Sequence, residues 1–409
     1  MALSPVTSAI KRVGIGLAAW ALLSVMATGA EGAQSLRVLL SADVHRLDVQ
    51  SESAVWVADP SHQGRAVHSG VHIVPYGKGF LVNGVRMSHE RLTLRAGEQG
   101  VTLLLAKPNG KIHGPSRPSN DQRLAVPVSG HVHVIRRGKG FLVINQVDLE
   151  EYVKGVVPAE VNSTWHPEML KAQAVAARTY ALYQQMLSVT REYDVAATVQ
   201  DQVYRGKNGI DAAVLRAVDD TKGLVLTYQN APIYAAFSST AAGLTEDAMN
   251  VWSKDYPYLK GVECPFDLES PYYQWKVSFR LEALEQNLRQ QGFAVGTIAS
   301  MSPLTFSRGG RVAKLRVVHS EGELILRGED LRKAVGYSIV PSTQFTIDSV
   351  GREIVLSGYG AGHAVGMCQW GAKELAELGY PFSTILQYYY PGTELQNMSL
   401  TKSPVPPTS

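Results

Sequence analysis

The stretch from Pro167 to about Leu187 constrains the fold most. It is rich in Ala and carries no Gly or Pro after its first residue. Such a run predicts one long helix. Pro167 suits the first helical position, with Ser163, Thr164 or His166 leading in. The helical signal already begins near Leu149-Glu150-Glu151-Tyr152-Val153. Upstream, from Leu36 to about Val147, the pattern changes to short runs rich in β-branched residues, separated by Gly, Pro, Ser and Asn. Arg37–Leu40, Val71–Val74, Leu92–Leu94, Val101–Leu105 and His131–Ile135 read as strands. His131 and His133 alternate with Val132 and Val134, so both histidines are expected on a wet strand face rather than at a metal. Gly-Lys-Gly-Phe-Leu-Val occurs at 77–82 and again at 138–143. Two copies do not make a solenoid, and they read as two equivalent turn-and-strand units.

Downstream of the long helix, short strands return from Leu224, including Ile233–Phe237. Residues 275–357 mix strands (Trp275–Phe279, Lys314–Val318, Phe345–Ile347, Glu353–Leu356) with helices (Leu281–Gln291, Asp330–Val335). Helices are expected again at Cys368–Leu378 and Pro381–Tyr390. The pattern predicts an α+β fold of two lobes: a β-rich region over 34–130, then a core over 131–395 with a long helix packed on sheet and an inserted lobe at about 275–350. The stretch Pro108–Asp121 reads as an exposed loop and 396–409, Pro- and Ser-rich from Lys402, as a flexible tail.

At the N-terminus, Lys11 and Arg12 precede an apolar run from Val13 to Ala27, followed by Thr28, Gly29, Ala30, Gly32 and Ala33. A basic segment, a short apolar segment and a small-residue exit predict a signal peptide over 1–33 and export of the remainder. The run is shorter than the about 20 residues of a spanning helix, and an uncleaved signal would act as a membrane anchor. The 409 residues are 45% hydrophobic and 18% charged, which places the chain among globular proteins. A net charge of +3 gives no ground for nucleic-acid binding. Cys264 and Cys368 are the only cysteines, so no disulfide framework exists.

Three segments concentrate chemistry. In Val156-Val157-Pro158-Ala159-Glu160-Val161, Glu160 sits in apolar company. Lost hydration raises a carboxyl pKa and suits a general acid; the alternative is a carboxylate that caps the next helix or pairs with a cation. Lys171 and Arg178 are seven apart on the long helix and share a face, which suits an acidic or acetamido-bearing ligand, structural pairing with Glu160 and Glu168, or plain solvation. Glu168, in the first helical turn, reads as structural. The second segment, Gly358–Ala372, is rich in Gly and lets backbone approach a ligand closely. There His363 and Gln369 supply polar handles and Trp370 a stacking face, or the loop simply packs on the core. The third, Phe237–Thr245, is a hydroxyl-rich turn whose Ser239 and Thr240 suit substrate oxygens or turn capping.

Together these segments resemble the SpoIID/LytB family of stage II sporulation protein D and amidase-enhancer proteins. The resemblance rests on Val156–Glu160, Leu170–Tyr180, Ser238–Gly243, Val251-Trp252, Asp255–Leu259, Leu326–Arg332 and His363–Ala372, in order, within a span of about 36 to 395. It implies a peptidoglycan lytic transglycosylase that cuts between N-acetylmuramic acid and N-acetylglucosamine, preferably on glycan stripped of stem peptides. Residues 131–395 would be the catalytic domain. Glu160 aligns with the family's catalytic acid, and Lys171 and Arg178 with charged positions of its site. The family's hydroxyl-and-double-glycine turn reads Ser239-Thr240-Ala241-Ala242-Gly243 here, and Cys368 stands where Ser is common. The implied mechanism needs one acid/base and no cofactor, whereas ordinary glycosidases use two carboxylates. Some relatives bind zinc; here Cys264, His363 and Cys368 are the conceivable ligands, and Cys264 with Cys368 is also a conceivable disulfide. The implied location is the periplasm or outer cell wall, the implied partners glycan strands and a cell-wall amidase. A non-catalytic amidase enhancer and an envelope scaffold are the competing readings.

Overall fold

A computed structural model describes residues 34–400 except 69, 96, 98 and 107–122. The expected signal peptide, the Pro108–Asp121 loop and the tail beyond 400 lie outside the described residues. The mixed α+β class is what the chain adopts, with eight helices and many strands among the described residues.

Two sheets face each other in the N-terminal part. One has the order Val195–Ala196, Ser35–Val44, Gly140–Asp148, His131–Arg137, Arg91–Arg95, Val55–Asp59, His62–Val67. The other runs Arg123–Val128, Val101–Ala106, Leu47–Gln50, Val71–Tyr76, Gly79–Val82, Val85–Met87. Alternate residues of both turn inward, and Val57, Leu94 and Val134 of the first share one core with Val49, Ile73 and Leu103 of the second. The repeated hexapeptide explains part of that core. Gly77 and Gly138 take positive φ at 55° and 58° in equivalent turns, and the phenylalanines that follow, Phe80 and Phe141, meet edge to face at 5.9 Å. His131 is exposed as expected; His133 is half-buried between Thr93 and Gln146.

The β-rich part therefore does not stop at 130. Ser129-Gly130 is only a turn, and His131–Arg137 and Gly140–Asp148 are central strands of the larger sheet. The chain then enters α1 (Leu149–Glu160), capped by Asp148, whose carboxylate accepts the N–H groups of Glu150 and Glu151. α2 (Pro167–Leu187) follows, with His166 Nδ1 accepting the Glu168 N–H at its start. Ala172, Ala174, Ala176, Ala177 and Ala181 are all fully buried. Small side chains on every face let α2 be wrapped by its neighbours. These are α1, α3 (Ala212–Asp220), the strand Leu224–Tyr228 and, after the short α4 (Ala248–Trp252), the C-terminal helices described below.

Residues 274–359 enclose a separate core. Gln274–Arg280, Glu353–Tyr359 and Gln344–Val350 form one three-stranded sheet; Ile298–Phe306, Val312–His319 and Gly322–Arg327 form another. α5 (Leu281–Gln290) and α6 (Gly328–Val335) add Leu284, Leu288 and Leu331 to the same core. The chain returns to the α2 core through Met367–Cys368, α7 (Gln369–Glu377) and α8 (Phe382–Tyr389). Its last strand, Glu394–Asn397, pairs with Leu224–Tyr228 and runs past the expected boundary at 395. The strand expected at Ile233–Phe237 is replaced by two short pairings, Ala231–Pro232 and Phe237–Ser238, the latter parallel to Met367–Cys368.

Candidate active site

Glu160 is the last residue of α1, and its side chain opens into a cleft of about 310 Å³. Pro158, Ala159, Val161, Asn162 and Trp165 line one side; Ser239, Gln369 and Trp370 line the other. Two loops meet here because Phe237–Ser238 and Met367–Cys368 pair in parallel, and the Trp370 N–H donates to the Ser239 carbonyl at 3.1 Å. The two tryptophans stand edge to face, 5.1 Å between ring centres. Lys373 Nζ lies 5.5 Å from the centre of the Trp370 ring.

Among the residues lining the cleft, Glu160 alone is ionisable. Its Oε1 accepts the Val203 N–H at 2.6 Å, which favours the carboxylate, as does the nearby Arg205 charge. Burial outweighs both and pushes the pKa up from 4.5 to about 7. Near neutrality this carboxyl is divided between acid and base forms. No second carboxylate shares the cleft lining to act as partner.

The expected site residues separate into two groups. Glu160, Ser239, Gln369 and Trp370 come together. Thr240 sits one residue behind, buried, with Oγ1 2.6 Å from Ser270 Oγ and 3.2 Å from Ser239 Oγ. His363 does not line the cleft. Its Nδ1 accepts the Val365 N–H, its ring packs against Trp252, and burial pushes its pKa down to about 3, so it is neutral. Lys171 and Arg178 do not line the cleft. Lys171 pairs with Glu168 and with Asp220 of α3. Arg178 is fully buried, its Nε and Nη2 bonded to both oxygens of Glu150 at 2.8 and 2.7 Å, with Nη1 donating to the Leu224 carbonyl. Helical spacing places both cations on one face, and that face packs against α1, α3 and the strand Leu224–Tyr228. Glu168 is structural as read: besides Lys171 it accepts the Phe382 N–H at 2.8 Å, joining α2 to α8.

Several contributors have no sequence signal. The Val203 N–H is backbone from a loop 43 residues away. Gln173, fully buried on α2, accepts from Gln369 Nε2 at 3.3 Å and so orients a cleft side chain. The Ser239–Gly243 turn is held by Asp267, whose Oδ2 accepts the N–H groups of Ala241 and Ala242, both at 2.8 Å.

The core around α2 thus carries a cleft with one carboxyl group, Glu160 at the end of α1, facing two tryptophans. A family model described as stage II sporulation protein (SpoIID) matches residues 137–228, and one described as a domain of unknown function matches 247–366. Stage II sporulation protein D of Bacillus subtilis is 34% identical over 267 residues, covering 62% of this chain and 75% of that protein. An uncharacterized protein of Brachyspira hyodysenteriae is 34% identical over 255 residues, 62% of this chain and 68% of its own length. The amidase enhancer of B. subtilis is 34% identical over 290 residues, 59% of this chain and 40% of that protein. The chain belongs to the SpoIID/LytB family. No helix among the described residues is long and apolar enough to cross a membrane.

Proposed function

We propose that this chain is a peptidoglycan lytic transglycosylase that uses Glu160 as its acid/base. Family membership gives it a cell-wall role. The observation that carries the finer reading is Glu160: a single ionisable group in the cleft, with its pKa near 7, facing two aromatic rings on which sugars can rest. Protonated Glu160 gives its proton to the bridging oxygen as the bond from C1 of N-acetylmuramic acid to N-acetylglucosamine breaks. The sugar's own acetamido group stabilises the cationic C1. The Glu160 carboxylate then takes the proton of the C6 hydroxyl while its oxygen bonds to C1. The product is a 1,6-anhydro ring; no water is consumed and Glu160 ends protonated. In this reading the amides of Gln369 and Asn162, both in the cleft lining, bond the substrate's acetamido groups. Export to the periplasm or outer wall, and action on stem-peptide-poor glycan, are parts of this proposal.

Mass spectrometry of products from intact and amidase-stripped peptidoglycan tests it. Anhydro-muramyl ends from wild type and none from Glu160→Gln are expected. A folded wild-type chain that binds glycan and releases nothing would overturn it. The amidase-enhancer relative supplies the second reading, which such a result would select, with stimulation of a cell-wall amidase as its assay.

A further inference from the structure

Two cysteines and an aspartate from separate segments converge where no solvent reaches. Cys264 ends the short strand Glu263–Cys264, Asp267 lies in the turn after it, and Cys368 is the residue that leads into α7. They are exposed by 0, 1 and 1%. Both Sγ atoms and a carboxylate oxygen of Asp267 lie within 4.8 Å of one another. Cys368 Sγ donates to Asp267 Oδ2 at 3.2 Å and accepts the Ala241 and Gly371 N–H groups at 3.3 and 3.4 Å. Cys264 Sγ is 3.3 Å from Tyr389 Oη.

A further observation points to a bound ion. Asp267 Oδ1 is buried and has no hydrogen-bond partner among the described residues, an arrangement that is costly when nothing fills it.

We propose that Cys264, Cys368 and Asp267 form a site for one tetrahedral zinc ion, with water in the fourth position. Zinc–sulfur bonds of about 2.3 Å place two tetrahedral sulfurs about 3.8 Å apart, which fits the observed cluster. Thiolate ligands select a soft or borderline ion over magnesium or calcium. Both thiols lose their protons to solvent on binding, so the three ligands carry three negative charges against two on the ion. The buried guanidinium of Arg311 faces the same group, bonded to the Ala241 carbonyl and feeling the charges of Cys368 and Asp267. His363 lies outside the cluster, whose ligand atoms come from Cys264, Asp267 and Cys368. The ion staples the Glu263–Asp267 segment to the strand that delivers Gln369 and Trp370 to the cleft. It positions the cleft wall and takes no part in bond cleavage.

The full chain, purified without chelator from zinc-supplemented cells, would be measured for metal by elemental mass spectrometry and for thiol state by intact mass. About one zinc per chain is expected. Asp267→Asn and Cys368→Ser, checked for fold by circular dichroism, should retain less than about a fifth of it. Cobalt exchanged into wild type should show a thiolate-to-metal charge-transfer band, which needs no variant to fold. Zinc that survives both substitutions, no metal and no cobalt band in the folded chain, or a mass lowered by the two hydrogens of a disulfide would each overturn the site. None of these readouts depends on glycan cleavage.

Discussion

The backbone N–H of Val203 donates to Glu160 Oε1 at 2.6 Å, yet the carboxyl still titrates near 7. Burial thus exceeds what one good hydrogen bond and the Arg205 charge return to the anion. Because the folded-state pKa lies above the ordinary 4.5, protonated Glu160 favours the fold below pH 4.5, and that contribution is lost as pH rises through about 7. Glu160→Gln should therefore stabilise the chain at pH 8 by about 1–2 kcal/mol, discounted for the solvent in the cleft, and leave it unchanged at pH 4. Paired denaturant titrations at the two pH values check this. A gain equal at both would refute the burial argument.

The same shift fixes the activity profile. In the proposed mechanism cleavage starts from the protonated form, so kcat/KM should fall about tenfold per unit above pH 7. Glu160→Gln should lose about 10²–10⁴-fold in turnover with its fold intact. A pH profile still rising at pH 9 would assign the proton to another group.

Arg178 joins α1 to α2 through both oxygens of Glu150, and Glu150 Oε1 also accepts the Gly223 N–H at 3.1 Å. Arg178→Met should cost about 3–5 kcal/mol, because it strands a buried carboxylate. Adding Glu150→Gln should recover part of that loss. Thermal melts of the single and double variants measure it. At temperatures where the single variant is folded, its KM for glycan should match wild type; a raised KM with unchanged stability would restore a substrate role.

The contrast between Arg178 and Glu160 shows what sequence reveals here. Periodicity exposes the helix and puts Lys171 and Arg178 on one face, but it does not say what packs there. The partner, Glu150, lies 28 residues back on another helix. Short β-branched runs announce most strands of the sandwich. Ser129-Gly130 looks like a boundary because a turn inside a sandwich and a turn between lobes use the same residues. Ile298–Phe306 was not anticipated: its exposed face carries Ser300, Ser302 and Thr305, and Pro303 interrupts it. In the cleft, the motif residues Ser239, Gln369 and Trp370 were legible as types. The Val203 N–H and the Asp267 brace were not, since backbone donors and single aspartates leave no pattern.

Trp165 and Trp370 form the aromatic part of the cleft. Trp370→Ala should raise the Kd for a glycan fragment roughly tenfold, equivalent to about 1.4 kcal/mol, and Trp370→Phe should raise it less. Calorimetry on the Glu160→Gln background isolates binding from turnover. Unchanged affinity in Trp370→Ala would place the glycan elsewhere.

Ala242 holds a left-handed backbone with φ of 55°. A Cβ in that region costs about 1–2 kcal/mol, and Gly would remove the cost while adding about 0.4–1 kcal/mol of unfolded-chain entropy. Ala242→Gly should accordingly stabilise the fold by about 0.5 kcal/mol net. The strain is held in place by Asp267 Oδ2, which accepts the N–H groups of both Ala241 and Ala242. Asp267→Ala should release the turn, cost more than Ala242→Gly returns, and lower glycan affinity through Ser239. Denaturant midpoints of the two variants and of their combination decide the point. Ala242→Gly that destabilises would mean the backbone there is not strained by its Cβ.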